Sequence, residues 1–357
     1  MKNLFLILVV VLMSVGCGNK STSFSTLPKG ESFKQNSSIL SNQLDILWVV
    51  DNSGSMSPLQ TNLVSNFNSF ISNFQTKGYD FKMSVTTSDA YLADATLSGY
   101  VASNAPLAKF RDGLGATHTG IFTILPTTPN LSNVFVTNAT QGASGAGDER
   151  VFSSFRTALN SPSNAGFLRP QSFFAVIILS DEDDFSGNGR CELCAVDHNY
   201  AAGTLDPVNS YVSYLDTLTQ TTGASRRYNV SAITVLDSTC QASHSAQAPS
   251  TIIGQRYIQL AQATSGVTGS ICDVSFATAL SQIQNQISEL STQFVLGQVP
   301  IVSTIVVTVN GNLVPNDGTS GWTFNGAANS IVFHGSAIPP QNAIINVNFT
   351  PASLTAH

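Results

Sequence analysis

The segment "LDILWVVDNSGSM", residues 44–56, places one carboxylate and two hydroxyls, Asp51, Ser53 and Ser55, at alternate positions around Gly54. A turn of this kind can aim three oxygens at one point, and glycine permits the tight backbone path that requires. Neutral hydroxyls with few carboxylates suit a small hard cation, Mg2+ with Mn2+ or Ca2+ as alternatives, which takes oxygen ligands and keeps some of its water. A second stretch, "VIILSDEDDFSG", leaves Asp181 directly after an apolar run, where it can face a crevice and add a carboxylate from elsewhere in the chain. The following Glu182, Asp183 and Asp184 read as a solvated acidic turn. Other chemistries find no pattern. His118, His198, His244, His334 and His357 lack ligand spacing and read as surface or terminal residues. The glycines of "SGAGDER" are not followed by the Lys-Ser/Thr of a phosphate loop, so no nucleotide is expected. No Gly-x-Ser-x-Gly follows a strand and no motif pairs a histidine with Ser55, so the chain is not expected to be an enzyme.

Both oxygen-bearing turns follow apolar runs, and the elements around them alternate between strand and helix. "LDILWVV" and "SFFAVIILS" are continuously apolar, as strands buried on both faces are. Leu59, Leu63, Phe67, Phe70, Ile71 and Phe74 recur at three and four, which predicts a helix opening near Pro58. Further strands are expected at Phe81–Thr87, Tyr228–Leu236 and near Ser270, with a short one around Ile121–Leu125. Further helices are expected from Glu149, Pro207, Gln255 and Phe276. The fold class that follows is α/β, a doubly wound, mostly parallel sheet. In such sheets ligands collect at the carboxyl ends of strands, where the strand order reverses. From Val302 the period changes to that of strands and turns, with an Asn310-Gly311 hairpin signal and Trp322 and Phe324 as core candidates. Residues 42–297 are thus read as the α/β domain and 298–357 as a small all-β C-terminal module.

The chain opens on "MKNLFLILVVVLMSVGC", a charged start and an apolar run too short to span a bilayer, which predicts an export signal over residues 1–16. "SVGC" resembles the lipobox of bacterial lipoproteins, and that resemblance makes Cys17 the lipidated residue and residues 17–41, rich in Ser, Asn, Lys and Thr, a tether. Gly18 after the cysteine implies onward sorting to an outer membrane, on its periplasmic or surface face. With 15 basic and 21 acidic residues there is no basic patch to meet phosphate charge, so nucleic acid is not an expected partner. Cys191, Cys194, Cys240 and Cys272 form an even set in an oxidising compartment, consistent with two disulfides in any of three pairings. Cys191–Cys194 with Cys240–Cys272 is the preferred pairing, because the local pair closes cheaply. A zinc site is the alternative, although one Cys-x-x-Cys followed by two distant single cysteines is a poor zinc pattern.

Taken together, "LDILWVVDNSGSM" and "VIILSDEDD" resemble the first strand and a later strand of von Willebrand factor A (VWA) domains, with the residues of their metal-ion-dependent adhesion site. The likeness covers about residues 44–296 and is nearest to bacterial lipoprotein members, with "GASGAGDERVF" before the middle helix and "GSIC" before the last. It implies that Ser53 and Ser55 bind the cation directly, with Asp51 and Asp181 acting directly or through water. The family's threonine has no counterpart in the Gly-rich loop, where Ser144 is the candidate hydroxyl, and Asp148 and Glu149 read as charges favouring a helix N-terminus. The implied partner is a protein or surface ligand presenting Asp or Glu to the cation, in adhesion or assembly. A structural envelope protein with a vestigial site is the second reading, and an envelope hydrolase the third.

Overall fold

The computed structural model describes residues 33–34, 38–39, 43–97, 100–187, 205–246, 248–340 and 343–352. The expected signal and lipidation site at Cys17, with Cys191, Cys194, His198 and His357, lie outside them. Five strands form one parallel sheet: β1 (Gln43–Val50), β2 (Asp80–Thr87), β3 (Phe173–Leu179), β4 (Tyr228–Thr234) and β5 (Thr268–Ser270), in the order β2-β1-β3-β4-β5. Registry is continuous through the centre, with Leu44 beside Phe81 on one side and Phe173 on the other. The chain runs from β1 outward to β2, then crosses to the far side of β1 for β3. Strand order therefore reverses between β1 and β3, the two strands that carry the oxygen-bearing turns.

The apolar runs are explained by burial on both faces. Leu44, Ile46, Trp48 and Val50 pack towards α1 (Ser57–Thr76), α2 (Leu131–Ala139) and a late helix spanning Ala277–Ser291. Leu47 and Val49 pack the other way, towards α3 (Val151–Asn160), α4 (Val208–Thr219) and the helix Gln255–Ala263. On the first face Trp48 sits edge-on to Phe70 and Phe135, with ring centroids 5.1 and 5.3 Å apart, and Phe67 stacks on Phe135. In chain order the remaining helices are α5 (Ser238–Ser245), α6 (Gln255–Ala263) and α7 (Ala277–Ser291). The strand expected around Ile121–Leu125 is reduced to an antiparallel bridge between Ile124 and Met83 at the sheet edge. Among the described residues no helix is long and apolar enough to cross a membrane.

The C-terminal module holds β6 (Phe294–Val295), β7 (Val306–Val309), β8 (Asn312–Val314), β9 (Trp322–Asn325), β10 (Ser330–Phe333) and β11 (Ile344–Phe349). Asn310 and Gly311 take positive φ between β7 and β8, as the hairpin signal requires. Trp322 is buried in the module's core, Phe324 packs against it, and His334 reaches Glu289 on α7 at 3.3 Å. Two boundaries differ from the sequence reading. β6 pairs with β10, and Phe294 and Leu296 belong to the module's core, so the change of architecture comes before residue 298. Within the expected tether, Phe33–Lys34 and Ser38–Ile39 are strands, both antiparallel to β11.

Candidate metal centre

Asp51 follows the last residue of β1 and stays tied to the neighbouring strand, its N–H donating to the carbonyl of Leu179 at 2.9 Å. Its carboxylate is wholly buried. Oδ1 accepts from the Ser53 N–H at 2.8 Å and the Ser88 hydroxyl at 3.1 Å, and Oδ2 accepts from the Ser180 hydroxyl at 2.7 Å. Ser88 follows β2 and Ser180 follows β3, so three strand ends fix this one side chain. The hydroxyls of Ser53 and Ser55 are buried without a hydrogen-bond partner. Asp181, past the end of β3, is also wholly buried: its Oδ2 meets Nε2 of His244 at 3.1 Å, and its Oδ1 has no partner.

A further acid, read from the sequence as a charge favouring a helix N-terminus, is influenced by Asp51. Glu149 is fully buried, and its charged neighbours are Asp51 and Glu182. It lies two residues before α3, as expected, but buried and with its carboxyl pushed far above the usual range it does not act there as a charge. The Glu149 and Glu182 side chains are hydrogen-bonded to each other, with the proton on Glu149, whose carboxyl is raised the further. Ser144, the expected hydroxyl of the Gly-rich loop, is exposed. The position of Glu149, between a glycine loop and the buried stripe of Phe152 and Phe155, was the available signal.

The acidic run after β3 is likewise not a solvated turn, since Glu182, Asp183 and Asp184 are all buried. Asp184 Oδ1 accepts from the Phe152 N–H at 2.9 Å and so caps α3, while its Oδ2 meets the Arg256 guanidinium at 3.2 Å. Asp183 accepts from the Arg256 N–H at 3.0 Å and caps α6. Two of the acids are thus consumed by the free N–H groups that helix starts leave behind.

The remaining acids repel one another. Burial first, and the charge of Asp181 second, raise the Asp51 carboxyl from 3.8 to about 6. Burial and the charge of Asp51 push Glu149 far above the carboxylate range, and burial raises Glu182 as well. A divalent cation would reverse this balance, because it rewards every charge that the bare site penalises. The donor set fits such an ion: two orphaned hydroxyls and one orphaned Asp181 oxygen are hard ligands held out of water, beside the Asp51 carboxyl. Among the described residues no three His, Cys, Asp or Glu side chains form a metal cage by themselves, so the serine oxygens and water would have to complete one.

The loop over the centre is fastened from below by Gln60 on α1, itself buried. Its Nε2 donates to the carbonyls of Asp51 and Gly142 at 2.9 and 2.8 Å, and its Oε1 accepts from the N–H groups of Gln141 and Gly142. Gly145 then donates to the Asn52 carbonyl at 2.7 Å, so close that a Cβ there would stand 2.6 Å from the Asn52 side chain. On the other flank α5 carries His244. The helix holds one buried apolar residue, Cys240, which is disulfide-bonded to Cys272 with Cα atoms 5.7 Å apart, one of the two expected pairings. His244 stands four residues beyond Cys240 on the same helix face, a spacing that could have brought it forward from the surface histidines.

No family model and no curated protein matches the chain. Among solved structures it is similar to proximal thread matrix protein 1 from the mussel byssus in one crystal form, with 13% identity and a TM-score of 0.39, covering 74% of this chain and 51% of that one. A second structure of the same mussel protein gives 11% and 0.36, with the same coverage. A third, with a zinc-occupied metal-ion-dependent adhesion site motif, gives 13% and 0.33 over 73% of this chain and 47% of that one. The chain spans about half the length of these structures. Similarity this slight carries neither fold nor function across, and the α/β architecture stands on the sheet order above.

Proposed function

We propose that the protein binds a divalent cation between the ends of β1 and β3 and, through it, an acidic group of a protein or surface ligand. The carrying observation is the set of buried oxygens without donors at that switch point, Ser53 Oγ, Ser55 Oγ and Asp181 Oδ1. Buried polar atoms usually find a partner, and three left without one in the turns that follow β1 and β3 support a site for an ion. Ser53 and Ser55 would hold the cation through neutral oxygens, Asp51 and Asp181 would balance its charge, and the likeness to VWA adhesion sites supplies the acidic partner. Lipidation at Cys17 and an outer-membrane location belong to the same reading, and rest on the lipobox-like "SVGC". Calorimetric titration of the mature chain with Mg2+ or Mn2+ tests the first half: wild type binds, and Ser53→Ala binds more weakly. A wild type that binds neither ion, or a Ser53→Ala that binds as well, overturns it. Pull-down with and without chelator tests the second half, since a ligand held through the cation is lost with it.

A further inference from the structure

We propose that a cavity at the amino end of the parallel sheet, a strand's length from the cation site, binds a small carboxylate with an apolar body, and that Arg227 holds its head group. The cavity has a volume of about 320 Å³ and lies where β3 and β4 begin, against the last turns of α3 and α4. That is within the span of about 300–1,000 Å³ usual for small-molecule sites. Its walls are largely apolar. Phe110 and Phe167 meet edge to face with centroids 4.8 Å apart, and Leu159, Leu168 and Leu218 line the cavity while only partly buried. No acid lines it.

Arg227 directly precedes β4, and its backbone is fixed on two sides. Its N–H donates to Thr221 Oγ1 at 3.1 Å, and its carbonyl accepts from the Phe174 N–H at 2.8 Å. The side chain is partly buried, and its Nε is shut off from solvent without a hydrogen-bond partner. Among the described residues every other arginine has an acceptor. The neighbouring Arg226 pairs with Asp216 at 2.6 Å, and Arg169, which also lines the cavity, is spent on Asp45 and Asp80 at 2.7 Å each. A guanidinium keeps its charge and offers five donors, so one held partly out of water without an acceptor costs stability. An incoming carboxylate removes that cost through two parallel N–H···O bonds. One free guanidinium matches one negative charge, and the leucines and phenylalanines take the apolar body.

The test uses the full mature chain, with decanoate as the probe and decanol as its uncharged counterpart. In calorimetry decanoate should bind wild type, and at least about tenfold more weakly Arg227→Gln, because hydrogen bonds to a charged group are lost. Decanol should bind wild type more weakly than decanoate does, and should not distinguish wild type from Arg227→Gln. Ala165→Trp introduces bulk from an exposed position on the lining and should abolish decanoate binding without entering the core. Chelator should leave decanoate binding unchanged, since cavity and cation site stand at opposite ends of β3. A wild type that does not bind decanoate, or binds decanol as tightly, overturns the proposal. So does wild-type decanoate affinity in either Arg227→Gln or Ala165→Trp.

Discussion

Asp51→Asn probes the charge balance at the centre most directly. In chelator the wild-type carboxyl is raised from 3.8 to about 6, by burial and then by Asp181. A folded-state value above the unfolded one means that the native fold prefers the protonated acid. The stability it contributes is therefore complete below about pH 4 and is lost as pH rises through about 6. The interval from 3.8 to about 6 corresponds to roughly 3 kcal/mol at 1.36 kcal/mol per pH unit. Asparagine carries no such penalty. Its carbonyl oxygen can still accept from the Ser53 N–H and the Ser88 hydroxyl, and its amide can donate to Ser180, which at present donates to Oδ2. For a domain of this size roughly 3 kcal/mol moves the melting temperature by about 6–12 °C. Thermal unfolding followed by circular dichroism, in EDTA at pH 8 and pH 4, reads the difference. Asp51→Asn should melt higher than wild type at pH 8 and nearly level with it at pH 4. Excess Mg2+ should then raise wild type but not the variant, since a ligand stabilises only the protein that binds it. If Asp51→Asn melts no higher than wild type at pH 8 in chelator, or keeps the same difference at both pH values, the reasoning fails.

Three other variants reach the supports of the site. His244→Ala removes the neighbour of Asp181 Oδ2 and strands that buried acid, so it should lower the melting temperature in chelator and weaken cation binding by about 10–100-fold, as a melt beside calorimetry would report. Gln60→Ala strands the N–H groups of Gln141 and Gly142 and should lower stability to denaturant by at least about 2 kcal/mol; an unchanged midpoint would mean the loop is held by other contacts. Replacing Cys240 and Cys272 by serine opens a cross-link spanning 32 residues, worth about 3–4 kcal/mol by chain entropy, and a non-reducing melt against the wild type measures it.

The strands of the sheet and the opening trio were legible because each rests on a local pattern. β1 and β3 are unbroken apolar runs, and Asp51, Ser53 and Ser55 follow one of them directly. α2 was not legible. Its "LSNVFVTNA" mixes β-branched and polar residues, and it is helical because Phe135 closes over Trp48 and Phe67. α5 was missed for the opposite reason: "STCQASHS" has almost no apolar face, and a disulfide with the Asp237 cap holds it in place. The acidic residues were misread for a third. Nothing local tells Asp183 and Asp184, which meet helix starts, from Glu149 and Asp181, which meet none, because the helices concerned arrive from elsewhere in the chain.

The pairing of Phe33–Lys34 with Asn348 and Phe349 joins positions 316 residues apart (349 − 33). The α/β domain is thus an excursion between neighbouring strands of the β module. Both flanking chain directions leave from the same end of that antiparallel pair, so a pull on the two termini peels these strands apart residue by residue and bypasses the parallel sheet. Were a ligand held at the proposed cation site, a pull between it and the N-terminal side would take another route, through the module's edge and into β1, whose far end carries Asp51.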